Sequence, residues 1–324
     1  MHYVLDDKIW LTLMTSKIKF TDILNASQNE FLQLQEESRA LSQKYFGQLL
    51  KFFYPNRKFP AISITGTSCS LNCLHCNKHY LEKMENIMAP EELEKLAFKL
   101  ARKGGTGFLL SGGYNEESIV PLEPYLDTIS KIKSETNLKI NVHPGLVSFR
   151  QAKDLADAGV DAVSFDLITN DEVITKVIRS NKQGKDYIES FKALIKAGLK
   201  VVPHVCLGLY FGDDKGNLEA IETVLVHDIP LIVFLTLIPT KGTLMEESET
   251  IGEDYFSKFI IYTRLNKPNL EQALGCMRVR YGLFEQKAII AGINRIATPK
   301  RKTIDFAKND LGLVIEQIET CCSI

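Results

Sequence analysis

Three cysteines that lie close together in the sequence could bind an iron–sulfur cluster. Cys69, Cys73 and Cys76 form a Cys-x3-Cys-x2-Cys motif just after a short apolar run, Ala61 to Thr65. Three thiolates on one short loop can each bind one iron of a four-iron cluster and leave the fourth iron open to an external ligand. An open iron can take part in substrate chemistry, so the motif predicts a redox-active site.

Two other kinds of site would use some of the same residues. A zinc site needs a fourth ligand, which His79 could supply. A ferredoxin-like electron carrier needs a fourth cysteine nearby, and no cysteine follows Cys76 until Cys206. The spacing therefore favours a cluster with an open iron, with the zinc and electron-carrier interpretations as alternatives.

Short apolar runs, typical of strands, alternate with amphipathic segments, several of which begin with acidic residues and end at glycine, as helices do. Eight strand-then-helix units in succession predict a (β/α)8 TIM-type barrel, complete or nearly so, although an open doubly wound sheet would give a similar pattern. The predicted strands are Ala61 to Thr65, Gly107 to Leu110, Leu138 to Val142, Ala162 to Phe165, Lys200 to Leu207, Leu231 to Leu237, Gln272 to Cys276 and Arg295 to Ala297.

This pattern divides the chain into three parts. Residues 1–55 carry apolar side chains at three- and four-residue spacing and are predicted to form an N-terminal helical cap. Residues 56–300 form the barrel, with the cysteine loop at the C-terminal end of its first strand, on the catalytic face. Residues 301–324 form a tail that is expected to fold over the barrel mouth.

The remaining cysteines form a second candidate metal site. Cys276 ends a predicted strand, and Cys321 and Cys322 are adjacent in the tail. Accessible thiolates oxidise readily, so an exposed pair without a function would be a liability. We therefore expect these three residues to bind a second cluster, and the alternative is free tail cysteines with a buried Cys276. Cys206 is either a fourth thiolate of this site or a buried strand residue.

The composition argues against several kinds of partner. The 324 residues are 45% apolar and carry 39 basic and 40 acidic residues, a net charge of −1, so no field attracts nucleic acid or an anionic membrane. No apolar run reaches the roughly 18 residues of a membrane span, and Met1 to Phe20 lacks the apolar core of a signal peptide. Seven cysteines in a chain of this size fit poorly with a secreted disulfide scaffold. We expect a cytoplasmic protein.

The cysteine loop after the first strand of a β/α repeat resembles that of the radical SAM superfamily. The resemblance implies that the methionine amino and carboxylate groups of S-adenosylmethionine chelate the open iron of a 4Fe-4S cluster. It also implies that one electron, from a ferredoxin or flavodoxin type of donor, cleaves the sulfonium to give methionine and a 5′-deoxyadenosyl radical.

The same resemblance implies roles for residues at the ends of other strands. His75 stands where the family usually carries an aromatic near the adenine, and Ser164 and Asp166 stand where relatives contact the adenosyl ribose. Arg179 could pair with the methionine carboxylate. The remaining S-adenosylmethionine-binding candidates are the glycine-rich turn Ser111, Gly112 and Gly113 and the strand-end residues His204 and Lys241.

Within the superfamily, residues 60 to 300 resemble biotin synthase. The Gly275-Cys276-Met277-Arg278 element and the terminal Cys321-Cys322 pair look like those of the two-component lipoyl synthases. This resemblance implies sulfur insertion at unactivated carbon on an octanoylated carrier domain or peptide, together with a sister radical SAM protein.

The chain also departs from these relatives, because it lacks the Cys-x4-Cys-x5-Cys run of single-chain lipoyl synthases. Radical chemistry without a second cluster, such as methylation, rearrangement or biotin formation, is therefore one alternative. A non-catalytic zinc or iron–sulfur protein is another.

Overall fold

A single parallel sheet organises the chain, as described by a computed structural model that covers residues 17–324. Its strands follow the order β11-β1-β10-β9-β8-β7-β6-β5-β4-β2-β3, and every neighbouring pair is parallel. The strands are β1 (Leu49–Phe53), β2 (Ala61–Ser63), β3 (Glu85–Asn86), β4 (Gly107–Ser111), β5 (Lys139–Val142), β6 (Ala162–Asp166), β7 (Val201–Leu207), β8 (Leu231–Thr236), β9 (Glu271–Leu274), β10 (Arg295–Ala297) and β11 (Val314–Ile318).

Helices connect most of these strands and cover the outer face of the sheet. They are α1 (Phe20–Asn25), α2 (Gln28–Phe46), α3 (Pro90–Arg102), α4 (Leu126–Glu135), α5 (Phe149–Asp157), α6 (Asp171–Val173, continued by the π-helical turn Ile174–Ile178), α7 (Gly184–Lys196), α8 (Asn217–Leu225), α9 (Glu253–Asn266), α10 (Phe284–Ile290) and α11 (Arg301–Asp305, continued by the π-helical turn Phe306–Asp310). Two of them, α7 and α9, bury apolar residues such as Phe191 and Phe259 completely.

The sheet curls into a partial barrel. Phe53 of β1 shares one buried interior cluster with Val202 of β7 and Val233 of β8, although β1 is not a neighbour of either strand in the sheet. Near the open edge, Glu319 contacts Lys58 and Thr106, which precede β2 and β4. The α/β barrel architecture predicted from the sequence is confirmed, and all eight predicted strands are present as β2 and β4 to β10.

The N-terminal prediction was wrong at its C-terminal end. Residues 1–16 of the predicted helical cap lie outside the described residues, and α1 and α2 account for most of the rest. Leu49–Phe53, however, is a strand that pairs with both β10 and β11. A short apolar run suits a helix or a strand equally well, so only pairing with distant strands decides between them.

Most of the tail forms α11 and β11, and its last four residues, Cys321 to Ile324, lie inside the barrel and not over its mouth, which corrects the sequence-based expectation. Arg295, the first residue of β10, donates to the carbonyl of Cys322 at 2.8 Å, and Lys200, just before β7, donates to the carbonyl of Ile324 at 2.6 Å. Both cations stand at the N-terminal ends of their strands. They satisfy main-chain carbonyls that would otherwise be buried without partners, so the tail can enter the interior.

Among residues 17–324, no helix has the length and apolar character needed to cross a membrane.

Candidate active site

The cysteine loop lies at the barrel mouth, where the C-terminal ends of the strands meet. It follows β2 and is tied by backbone hydrogen bonds to two neighbouring loops, from Ser70 N–H to the Tyr114 carbonyl at 2.7 Å and from Leu74 N–H to the Val177 carbonyl at 2.8 Å. The backbone N–H of Tyr114 also donates to Cys69 Sγ at 3.3 Å. Loops from three strands therefore hold the three thiols, all of which are free and partly exposed.

The turn after β4 packs so tightly on this loop that only glycine fits. A Cβ atom on Gly113 would stand 1.9 Å from the Ser68 carbonyl oxygen and 2.6 Å from Cys69 Cβ. A Cβ atom on Gly112 would stand 2.9 Å from Thr65 Oγ1. The Ser111 carbonyl accepts from Ile64 N–H at 2.9 Å, which continues the ladder between β2 and β4. The predicted glycine-rich turn therefore supports the cysteine loop directly.

The thiols of the loop stand in a setting that suits a metal cluster. Burial, and then the neighbouring Cys76 and Cys69, raise the pKa of Cys73 to about 12. Burial also raises the pKa of Cys76. Partly buried thiols that oppose each other's ionisation become thiolates when a cationic metal centre replaces their protons. The donor set therefore fits an iron–sulfur cluster.

His75 adds an unpaired polar atom beside the loop. Its Nδ1 is buried and has no hydrogen-bond partner. Burial lowers the pKa of His75 to about 4, although the charge of Asp166 opposes this shift. The ring is therefore neutral near pH 7, and its free nitrogen can accept a bond from a ligand at the mouth.

A middle layer of Asp166, His143 and His204 lies below the cysteine loop. Asp166 ends β6 and is the register partner of His204 on β7. The Oδ2 atom of Asp166 lies 3.2 Å from His143 Nε2, outside hydrogen-bonding alignment, and the rings of His143 and His204 stack at 6.2 Å between centroids. The Asp166 side chain remains 42% exposed.

Electrostatics keep the Asp166 carboxylate charged in this layer. Burial favours its neutral form, but the adjacent His143, and then His204 and His75, lower its pKa to about 2. Burial lowers the pKa of His204 to about 4, and its Nδ1 lies 2.9 Å from the Val202 carbonyl. A neutral His204 that donates through Nδ1 leaves Nε2 available to a ligand.

A third layer surrounds the tail. Asn141 Nδ2 lies 3.7 Å from Cys321 Sγ, and Ser164 Oγ lies 3.2 Å from Ser323 Oγ. A hydrogen bond between the two adjacent thiols lowers the pKa of Cys321 and raises that of Cys322. Burial and the nearby Cys321 raise the pKa of Cys276. Cys321 and Cys322 thus lie together in the barrel interior, and Cys276, which is exposed, lies near them.

The two cysteine groups are separated along the barrel axis. On the inner face of β7, Val202 packs with Cys322, whereas Cys206 packs with Cys69 and Cys73. Four residues of strand at about 3.3 Å each span about 13 Å. The Asp166 layer lies between the two groups, because His204 stands midway between Val202 and Cys206 on the same strand face.

A comparison with known protein families decides the identity of this site. The family profile described as "Radical SAM superfamily" matches residues 63–240, which include the cysteine loop and strands β4 to β8. The chain belongs to the radical SAM superfamily. It is a radical SAM enzyme, and the family implies a 4Fe-4S cluster and S-adenosylmethionine as cofactors.

Biotin synthases are among the curated relatives of the chain. The chain is 27% identical to that of Neorickettsia sennetsu over 286 residues, 81% of this chain and 86% of the relative. It is 25% identical to that of Marinobacter nauticus over 315 residues, 89% of this chain and 88% of the relative. These matches support a place in the biotin synthase-related group of radical SAM enzymes.

Solved structures support the fold. The hydrogenase maturase HydG from Carboxydothermus hydrogenoformans has a TM-score of 0.70 at 17% identity, covering 96% of this chain and 79% of that one. Methylornithine synthase has a TM-score of 0.64 at 17% identity, covering 90% of this chain and 85% of that one.

Several residues that the sequence predicted to bind S-adenosylmethionine or a cluster make different contacts in the structure. Ser164 was predicted to contact the ribose, but its hydroxyl is engaged by Asn141 and Ser323. Arg179 and Lys241 are exposed at the mouth. Cys206 packs with the cysteine loop, so the prediction that it completes the tail site is not supported by its position. Strand alternation explains this, because Cys206 stands two inward positions above Val202.

Sequence reasoning missed two residues of the site. His143 directly follows β5, and a polar residue at the C-terminal end of a barrel strand is a signal that could have identified it. Tyr114 follows the glycine turn and packs against the same apolar group of side chains as Cys69 and Cys73. Within residues 17–324, no three His, Cys, Asp or Glu side chains converge as ligands of one metal ion would.

Proposed function

We propose that the protein inserts sulfur at unactivated C–H positions, with lipoyl synthase activity on an octanoylated lipoyl domain or peptide. The observation that carries the proposal is the position of the tail, which brings Cys321 and Cys322 into the barrel interior beside Cys276. Similarity to biotin synthases supports the reaction class, because those relatives are named for making a sulfur-containing product.

The mouth residues would divide the work of radical generation. Cys69, Cys73 and Cys76 would hold a cluster that supplies the electron for reductive cleavage of S-adenosylmethionine. Gly113 lets the strand end approach this loop closely, and Asp166 offers a charged carboxylate to the ribose hydroxyls. The hydrogen bonds from Ser70 and Leu74 keep the loop fixed.

The tail residues would hold the sulfur source. A second cluster bound by Cys276, Cys321 and Cys322 would supply sulfide for insertion. Arg295 and Lys200 hold the tail by its main-chain carbonyls, and Ser164 and Asn141 contact its side chains. These contacts fix the two tail thiols at a constant depth in the barrel.

Counting iron tests the second cluster. Anaerobically reconstituted protein should hold about eight irons, and the Cys321→Ala/Cys322→Ala variant about four. Mass spectrometry of an octanoyl-lysyl peptide after turnover should then show one or two added sulfurs. About four irons in the unaltered protein, unchanged by the double substitution, would refute the second cluster.

Biotin formation is a second candidate function, favoured by the 25–29% identity to biotin synthases. The same assay with dethiobiotin in place of the peptide distinguishes it, since only one of the two substrates should gain sulfur. Production of 5′-deoxyadenosine without sulfur on either would instead indicate a radical SAM enzyme of other chemistry, such as methylation or rearrangement.

The proposal also includes partners. A ferredoxin or flavodoxin type of donor would reduce the mouth cluster, and a sister radical SAM protein would insert the other sulfur of the lipoyl group. If only one sulfur is added to the peptide by this protein alone, addition of the sister protein should yield the second.

A further inference from the structure

The proposed second cluster lacks one protein ligand. Cys276, Cys321 and Cys322 can bind three irons of a four-iron cluster, which leaves the fourth iron open to another ligand. Cys276 follows β9, and the tail lies between it and the opposite wall of the barrel. In the strand order, that wall is β5, four strands from β9. A fourth ligand is therefore expected on the inner face of β5.

Two polar residues of that face are available, Asn141 and His143. Asn141 is already engaged, because its Nδ2 donates to Ser164 Oγ at 2.9 Å and its Oδ1 accepts from Ser164 N–H at 3.2 Å. Its Nδ2 also points at Cys321 Sγ, and an amide N–H has no lone pair to offer a metal. Asn141 therefore places Cys321 next to β5 without being a ligand itself.

His143 stands two residues further on the same side of the chain, toward the mouth. In the described part of the chain, its ring makes no aligned hydrogen bond, although Nε2 lies 3.2 Å from Asp166 Oδ2. Its backbone is fixed, since its N–H donates to the Leu110 carbonyl and its carbonyl accepts from Ser111 Oγ. The ring is thus positioned with Nε2 toward Asp166, which leaves Nδ1 as the nitrogen that can bind a metal.

Metal-binding histidines usually present one ring nitrogen to the metal and the other to a carboxylate that orients the ring. Asp166 stands where such a carboxylate would, and Asn141, two residues before His143 on the same side of the chain, has its Nδ2 3.7 Å from Cys321 Sγ. We propose that His143 is the nitrogen ligand that completes the second cluster site, with Asp166 as its orienting carboxylate. This inference rests on the proposed function.

Other residues of the barrel interior are worse placed for this role. His204 stands on β7, two strands from β5 in the sheet order, and so is not on the wall opposite Cys276. Cys206 packs with the mouth cysteines. His204 is therefore a suitable control, because it stacks on His143 in the same layer.

Pulsed EPR of protein labelled with 15N-histidine tests the inference without using activity. The Cys69→Ala/Cys73→Ala/Cys76→Ala variant would carry only the second cluster, which is reduced with dithionite and examined for coupling to a directly bound 15N nucleus. We expect the coupling to be present, to vanish in an added His143→Ala substitution and to persist in an added His204→Ala substitution. An added His143→Cys substitution should keep about four irons, since thiolate replaces imidazole, but lose the coupling.

The outcomes separate the two proposals. If the triple cysteine variant binds no iron, the second cluster itself is wrong and the ligand assignment falls with it. If about four irons are bound but 15N coupling is absent, or survives His143→Ala, the second cluster stands and the assignment to His143 is overturned. Coupling lost only on His204→Ala would assign the ligand to that residue instead.

Discussion

The contact between Gly113 and the cysteine loop allows a sharp test of how the mouth site is built. A Cβ atom at this position would stand 1.9 Å from the Ser68 carbonyl oxygen, whereas ordinary contact begins at 3.4 Å. Gly113→Ala therefore requires the residue next to Cys69 to move by about 1.5 Å, the difference between those distances. Overpacking of this kind typically costs about 1–3 kcal/mol, and here the backbone that carries a cluster ligand must yield.

Iron binding reports the displacement directly. In a Cys321→Ala/Cys322→Ala background, only the mouth cluster remains, so Gly113→Ala should lower the iron content from about four per chain toward zero. Urea unfolding measured in parallel should show the loss of stability. Gly252→Ala is the matched control, because its backbone has a φ of −67° and no atom lies within 4 Å of the added Cβ. Full iron loading and unchanged unfolding of Gly113→Ala would refute the reasoning.

Three further predictions concern stability. Arg278→Ala removes the buried partner of Glu285 and should lower the unfolding free energy by about 3–5 kcal/mol in urea unfolding, whereas Arg278→Met/Glu285→Met should lose much less. Lysine partners hold the pKa of Asp161 below its ordinary value despite burial, so Asp161 stabilises the fold above about pH 4. The unfolding midpoints of the protein and Asp161→Asn should therefore converge as the pH falls below that value. Ser164→Ala breaks the contacts with Asn141 and the tail, and should cost about 1 kcal/mol while leaving the iron content of the mouth cluster unchanged.

Local patterns in the sequence predicted most of the sheet but not its edges. The eight barrel strands follow from short apolar runs between helices, because each run is buried on both faces of a parallel sheet. Strand β1 gave no such signal, since its apolar residues continue the spacing of α2. Strand β11 is largely exposed and so has no apolar run to recognise. Both are defined by pairing with distant strands, which a local pattern does not encode.

In the candidate site, too, features with a local sequence pattern could be predicted, whereas features set by contacts between distant residues could not. Cys69, Cys73 and Cys76 lie within eight residues of one another, so their spacing alone identifies the cluster-binding loop. The position of this loop after the first barrel strand could also be predicted from the sequence. The depth of the tail could not, because it depends on Arg295 and Lys200 binding main-chain carbonyls. The relation of His143 to Asp166 joins β5 to β6 and likewise has no local signature.

The position of the tail also restricts how a substrate reaches the proposed reaction site. Arg295 and Lys200 hold the tail at the N-terminal ends of the strands, so that end of the interior is occupied. A carbon that meets both the radical source and the sulfur source must lie in the Asp166 layer, between two cysteine groups about 13 Å apart. An acyl chain can approach this layer from the mouth, past the cysteine loop. Exposed apolar side chains there, Phe211 and Leu244, follow β7 and β8 and would contact a carrier domain that presents such a chain.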